Sequence, residues 1–306
     1  MSRTAFELLI LGCSSASPTS ERNPSAQLLN VAERYFLIDC GEATQIQLRR
    51  YKARFQRINH LFISHMHGDH FFGVPGLLSS MNLLGRRQEL NIYCPEPLKE
   101  LVDHINGAGD TRLSFKINWK FTSAAGKVLL FEDNKVEVYS FPLKHRIFCC
   151  GFYFREKPLP RKIDKSRLQS LDISFADIMR LKAGEDVVNT KGELILNKDA
   201  TLDPFEPRSY AYCSDTIFNP AIVEYIKDVD LLYHESTFLE PMKERAAATF
   251  HSTAREAAEI AKMANAKTLV LGHYSARYPQ LDGFIEEAAK VFPNCVLATD
   301  GKKIEI

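Results

Sequence analysis

No run of apolar residues in the chain is long enough to span a bilayer. The first twelve residues also lack the long apolar core and cleavage site of a secretory leader, and 6–11 reads as a first strand instead. An excess of charge of one sign is missing: 39 Lys and Arg against 38 Asp and Glu leave a formal net charge of +1, so binding of a polyanion must rest on local patches. The seven cysteines are odd in number and include no CxxC, which argues for reduced, buried thiols in a cytoplasmic protein. There is no repeat at a solenoid period and no low-complexity tract. What is left, 306 residues that are 45% hydrophobic and 25% charged, is an ordinary globular composition with a sizeable core. One large domain, or one domain with an insertion, fits that length better than two equal ones.

Against this plain background one stretch stands out. His65-Met66-His67-Gly68-Asp69-His70 places four metal-binding side chains within six residues, just after the apolar run Leu61-Phe62-Ile63. That run reads as a buried strand. Side chains two apart along extended backbone point the same way, so His65 and His67 can share one cation. Gly68 lets the chain turn without a Cβ penalty. Asp69 and His70 open an apolar helix-like stretch over 71–84 and so face a different direction, toward a second cation. Imidazole suits zinc and related transition metals, a mixed-in carboxylate suits a catalytic site, and two cations a few ångströms apart make a hydrolytic centre. Packing alone does not account for three His and an Asp at this spacing, because buried unpaired polar groups are costly.

Periodicity predicts strands near 7–11, 27–31, 35–39, 61–64, 90–93, 114–119, 128–131, 136–141 and 148–154, with helices near 42–51 and 96–105. Regularity resumes with strands at 210–213, 231–234 and 268–271, helices near 220–227, 253–263 and 282–291, and two short terminal strands. Between them, 155–208 is different: Pro158, Pro160, Pro204 and Pro207 punctuate it, charges are dense and apolar periodicity is weak. A long polar stretch inside a compact domain predicts a functional loop or projecting arm. The order of elements predicts an α/β (α+β) fold of two packed mixed sheets with helices outside.

Further ligand candidates all follow predicted strands: His145 after 136–141, Asp215 after 210–213 and His273 after 268–271. Asp215 also reads as a helix N-cap in Ser214-Asp215-Thr216, yet a carboxylate there could bridge two cations. The assignment that emerges is His65, His67 and His145 on one metal, Asp69, His70 and His273 on the other, and Asp215 between them. Asp39 ends a strand before Gly41, either as a turn residue or as the group that orients a ligand imidazole. Glu235 and His251 form an orienting carboxylate and general acid, unless Ser252 or Thr253 merely caps the next helix and His251 is a bystander.

The motif His65-x-His67-x-Asp69-His70, with His145, Asp215 and His273, resembles the metallo-β-lactamase superfamily. The closer resemblance is to its ribonuclease Z family, the tRNA 3′-processing endonucleases. It is carried by 11–18 with Arg22-Asn23, by Leu37-Ile38-Asp39-Cys40-Gly41-Glu42, by His234-Glu235-Ser236-Thr237-Phe238 and His251-Ser252-Thr253-Ala254, and by Leu271-Gly272-His273-Tyr274. The resemblance runs nearly end to end. It implies a four-layer αββα sandwich over 1–306, with 155–208 as an inserted arm, or exosite, that grips the tRNA body. It also implies two Zn2+ per chain, with Mn2+ as the alternative, a homodimer, and precursor tRNA as substrate. Asp69 would accept a proton and His251 would protonate the leaving oxygen, giving a tRNA 3′-hydroxyl and a trailer 5′-phosphate. Arg22, Asn23, Lys157, Arg161, Lys162, Lys165 and Arg167 would bind substrate. The sequence departs from the family at the arm tip, Ile173-Ser174-Phe175-Ala176-Asp177 in place of Gly and Pro, and at Ser20 in place of Lys. The rival readings are a small-molecule hydrolase on the same fold, which explains neither the insert nor the basic run Arg49-Arg50-Tyr51-Lys52-Ala53-Arg54, and a non-catalytic binding protein.

Overall fold

A computed structural model describes residues 3–109 and 111–306. The chain divides into two compact units, one made of Thr4–Arg155 with Arg208–Ile306 and one containing Glu156–Pro207.

The larger unit is built on two seven-stranded sheets. In the first, the order across the sheet is Lys303–Glu305, Phe6–Gly12, Ala26–Val31, Arg34–Cys40, Ile58–Phe62, Leu90–Cys94 and Ile117–Phe121. Its strands alternate. Phe6, Leu8 and Ile10 face the second sheet, while Leu9 and Leu11 face outward under helices; Phe36 and Ile38 likewise oppose Leu37. Both faces are buried, so these strands read as continuous apolar runs rather than as polar–apolar alternation. The outer face packs on helices Thr44–Arg50, Val74–Leu83 and Pro97–Ala108 through Leu48, Leu77 and Leu98.

The second sheet runs Cys295–Leu297, Thr268–Gly272, Leu231–Glu235, Ser209–Cys213, Cys150–Glu156, Val136–Pro142 and Val128–Glu132. Phe141, Phe152, Phe154, Tyr210 and Tyr212 fill the space between the sheets. Helix Ala254–Met263 lays Ala254, Ala257, Ala258 and Ala261 into this core at the helical period, and helix Asp282–Ala289 packs beside it. Two sheets flanked by helices give the expected four-layer arrangement.

Topology decides where chemistry can sit. Ser209–Cys213, Leu231–Glu235 and Thr268–Gly272 are mutually parallel, as are Arg34–Cys40 and Ile58–Phe62. Asp215, Glu235 and His273 therefore leave the second sheet at one edge, and Asp39 and His65 leave the first near the carboxyl ends of its strands. Loops that begin at parallel strand ends converge, which is where such folds place their sites.

Several boundaries differ from expectation. The stretch 71–84 is two helices, Gly68–Phe71 and Val74–Leu83, broken where a Cβ on Gly73 would meet the Gly41 carbonyl at 2.1 Å. The strand expected at 114–119 is Ile117–Phe121, and the helix near 220–227 is a 3-10 turn, Pro220–Ile222, running into Val223–Ile226. The segment 155–208 is more ordered than its weak periodicity suggests. It holds helices Lys165–Leu171 and Phe175–Ala183, the small hairpin Val187–Val188 with Leu194–Ile195, and a core of Leu181, Val187 and Ala200. Among the described residues, no helix is long and apolar enough to cross a membrane.

Candidate metal centre

His65, two residues beyond its strand's last apolar neighbour, is held by an antiparallel bridge to Cys149. His67 keeps extended backbone, and Asp69 and His70 sit on the single turn Gly68–Phe71. The consequence is a convergence of ring nitrogens. His67 Nδ1 lies 3.1 Å from His65 Nε2 and 3.1 Å from His145 Nε2. His70 Nε2 and His273 Nε2 lie 3.3 Å apart, with Asp69 Oδ2 at 3.5 and 3.3 Å from them. Asp215 reaches both groups. Its Oδ2 is 3.5 Å from His65 Nε2 and 3.8 Å from His145 Nε2; its Oδ1 is 3.3 Å from His70 Nε2 and 3.2 Å from His273 Nε2.

These groups fit metal ions better than they fit one another. The outer nitrogens already have partners: His65 Nδ1 at Ser64 Oγ (3.0 Å), His70 Nδ1 at Asp39 Oδ2 (2.7 Å), His145 Nδ1 at the Phe250 carbonyl (2.9 Å) and His273 Nδ1 at Thr237 Oγ1 (2.9 Å). A neutral ring that donates from Nδ1 presents a lone pair at Nε2, so the Nε2 atoms of His65, His70, His145 and His273 are acceptors, and those of His70 and His273 face each other. Buried Asp215 Oδ1 has no hydrogen-bond partner, although two imidazoles stand beside it. Donors about 2.1 Å from a tetrahedral zinc are separated by about 3.4 Å, close to the spacings here. Among the described residues three groups have donor atoms close enough to hold an ion: His65–His67–His145–Asp215, Asp69–His70–His273 and Asp215–His251–His273.

Electrostatics follow from the crowding. Burial works against the charged form of Asp215, but His273, His70 and His65 outweigh it and hold its carboxyl well below the usual range. The same opposition, with His70 and His273 prevailing, lowers Asp69, whose Oδ2 also accepts from the Ala16 amide at 2.7 Å. Burial pushes His65, His67 and His145 down, His67 to about 4, so they are neutral and able to ligate.

Asp39 is fully buried and accepts from the Ser64 amide (2.8 Å), Ser64 Oγ (2.9 Å), Tyr212 Oη (2.6 Å) and His70 Nδ1 (2.7 Å). Its φ of +54°, like the +62° of His273, is a left-handed conformation that non-glycine residues rarely adopt, and such positions cluster at functional sites. Glu235 takes five donors: Thr216 N, Ser252 N, His251 Nδ1 at 2.9 Å, and the amide and hydroxyl of Thr237. Thr253 caps helix Ala254–Met263 through a capping box with Glu256, while His251 still reaches Glu235; the two readings of that segment coexist.

His67, Asp69, His145 and Asp215 border, with His251, a cavity of about 570 Å³, walled by the N-terminal loop around Ala16 and Pro18, by Phe72 and by Arg146. Arg22 and Asn23, expected to touch substrate, spend their polar groups inside the protein. Arg22 is buried and donates to the Tyr278 carbonyl at 2.8 Å, and Asn23 gives both its amide and its Nδ2 to Asp300 Oδ2 at 2.9 Å. Their geometry anchors the loop that carries Ala16 to Asp69. In the smaller unit Arg161 pairs with Thr201 and Asp203, Lys162 lies over the Phe205 ring, exposed Arg167 donates to the Asp199 carbonyl at 2.7 Å, and Lys165 is exposed. Lys157 is half-buried. Thr237, Asp300 and Arg146 were not legible as site residues. Thr237 had one usable signal, its place two residues beyond Glu235 on the same strand end.

Sandwich and ligand set together define a metallo-β-lactamase-fold metalloprotein. Comparison with known proteins narrows this. The chain is 43% identical over 98% of its length to a ribonuclease Z of Parabacteroides distasonis, covering 99% of that protein, and 46% identical to one of Cytophaga hutchinsonii over 98% and 96%. Among solved structures, human tRNase Z, short form, superposes with a TM-score of 0.70 at 27% identity over 97% of this chain and 98% of that one. The metallo-β-lactamase fold protein YhfI of Bacillus subtilis gives 0.69 at 18% identity over 99% and 100%, a likeness of fold. The family described as "Anti-Pycsar protein Apyc1" matches residues 6–147. The chain belongs to the ribonuclease Z family.

Proposed function

We propose that the protein is a metal-dependent endoribonuclease that removes the 3′ trailer from precursor tRNA, leaving a 3′-hydroxyl on the tRNA and a 5′-phosphate on the trailer. The observation that carries this is His251, braced by buried Glu235 and placed beside a seven-ligand pocket, in a chain with end-to-end likeness to ribonucleases Z. Two Zn2+ per chain suit a donor set of five imidazoles and two carboxylates, whereas Mn2+ favours more oxygen. His65, His67 and His145 would hold one, Asp69, His70 and His273 the other, and Asp215 both. When bound, the ions would lower the pKa of water and offset charge on the phosphoryl oxygens.

The chain's own groups supply the rest. Asp69, fixed by the Ala16 amide, accepts the proton of the attacking water. His251 enters the reaction charged: burial would lower its pKa, but Glu235 reverses this and lifts it to about 9. Its Nδ1 is committed to Glu235, leaving Nε2 to give a proton to the departing O3′. Asp39 keeps the His70 ring turned inward. A homodimer would cover Ile46, Leu83 and Leu84, exposed apolar residues on adjoining helices. Seven free cysteines suit a cytoplasmic location.

The test is to incubate the purified protein with a precursor tRNA and with bis(p-nitrophenyl) phosphate, with metal content measured on the same sample. Trailer release at one position supports the proposal; turnover of the small ester alone would transfer it to a small-molecule hydrolase. In Asp215→Ala, loss of both ions is expected, and retention of two would refute the bridging assignment.

A further inference from the structure

The loop 143–149 is shaped for more than delivering His145. It closes on itself through Leu143 N to the Cys149 carbonyl at 3.0 Å. Cys150 N bonds the Ser64 carbonyl at 3.1 Å, and on the other side Ile217 N bonds the Lys144 carbonyl at 3.0 Å. A loop fixed on both flanks presents its side chains without further ordering cost. His145 turns into the ligand cluster. The outer side of the loop, with Ile222 and Tyr225, walls a second cavity of about 530 Å³.

Three features of that cavity point to one class of ligand. His145 and Arg146 line both cavities, so they adjoin across a single loop. Leu143, Ile222, Tyr225 and Phe148 make it apolar, and Phe148 is 36% exposed on a rigid support. Lys144 and Arg146 are exposed at its rim, and no acidic side chain is among its lining residues. An aromatic face beside fixed positive charge is the chemistry that holds single-stranded nucleic acid. Arg146 adds a detail. Its guanidinium stands 3.1 Å from His67 Nε2, which can accept only while it carries no hydrogen. Arg146 thus reaches from this cavity to the ligand cluster, where its guanidinium can donate to a phosphate oxygen.

We propose that the cavity behind residues 143–148 is a subsite for the nucleotide adjoining the scissile phosphate, its base stacked on Phe148 and its phosphate held by Lys144 and Arg146. This rests on the endoribonuclease reading. The nucleotide is either the last of the tRNA or the first of the trailer; both offer a base and a phosphate, and the test separates them.

Two precursor tRNAs, each with 4-thiouridine on one side of the cut, are irradiated on the metal-loaded His251→Ala protein. The expected result is a crosslink from one of the two to the peptide containing 143–149. Phe148→Ala should weaken binding of that RNA by about tenfold or more, since stacking is worth roughly 1–3 kcal/mol per base, and should lose the crosslink, while Phe148→Tyr retains both. Binding with crosslinks only elsewhere, or unchanged affinity in Phe148→Ala, overturns the subsite and leaves the nuclease reading standing. No binding of either RNA by the wild-type protein overturns both.

Discussion

His251 keeps its proton because the carboxylate of fully buried Glu235 stands 2.9 Å from Nδ1 and outweighs the cost of burying the charge. Removing the ring should therefore leave the ions and the tRNA affinity in place and cut kcat by about 10²–10⁴-fold, the usual worth of general acid catalysis. A substrate with a good leaving group should suffer less, because it needs less protonation; equal loss for good and poor leaving groups would assign His251 another role. A second histidine is tuned the opposite way. His60 lies between the sheets, 4.2 Å ring to ring from Phe131, and burial, with Lys120 assisting and Asp133 opposing, pushes it down to about 4. Its folded pKa is below the ordinary 6.5, so the unfolded chain takes the proton first as pH falls. The contribution of neutral His60 is complete above pH 6.5 and is lost as pH falls toward 4, roughly 3 kcal/mol in all. Urea unfolding of His60→Gln at several pH values should show a loss of stability between pH 6.5 and 4 that is smaller by about that amount. Residue type and spacing pointed to the ligand residues because imidazoles cluster for few other reasons. They did not show direction. Arg22 and Asn23 looked like substrate contacts, and their partners, the Tyr278 carbonyl and Asp300, lie 256 and 277 positions along the chain.

At the scale of elements, the strands were legible because burial on both faces leaves unbroken apolar runs, as in Phe6–Gly12. Their ends were less so. The break before Val74–Leu83 comes from the close approach of Gly73 to the Gly41 carbonyl, a tertiary contact with no local signal. The helices of Glu156–Pro207 were missed because a core of three residues, Leu181, Val187 and Ala200, imposes almost no periodicity. Caps, in contrast, are local chemistry. Thr253 Oγ1 accepts from Glu256 N at 3.2 Å and Glu256 Oε2 accepts from Thr253 N at 3.0 Å. Thr253→Ala should cost about 1 kcal/mol. Ser252 also donates to the Thr216 carbonyl at 2.7 Å, so fraying this helix start loosens the support of His251. Thermal unfolding and kcat should fall together in Thr253→Ala and recover in Thr253→Ser; a stable variant with intact kcat would deny the helix start any part in placing the acid.

For the whole molecule, the candidate chemistry falls within one of the chain's two units. Every ligand residue, Glu235 and His251 belong to the unit made of Thr4–Arg155 and Arg208–Ile306. The unit containing Glu156–Pro207 has its own small core, and its strand pairs, Lys162–Ile163 with Thr201–Leu202 and Val187–Val188 with Leu194–Ile195, are internal. Between residues 155 and 182 eight basic residues face four acidic ones, in a chain whose overall charge is only +1. Positive charge on a segment that carries no ligand of the centre would position a polyanion without reading its sequence. Replacing 157–200 by a short Gly/Ser linker removes nine basic and seven acidic residues and no ligand of the centre. Hydrolysis of bis(p-nitrophenyl) phosphate and the metal content should persist, while binding and processing of precursor tRNA collapse. The intact protein should lose tRNA affinity steeply with added salt, and the linker variant should show a shallower slope, because each phosphate it no longer neutralises releases no counterion. Normal processing by the linker variant at low tRNA concentration would show that the larger unit grips its substrate alone.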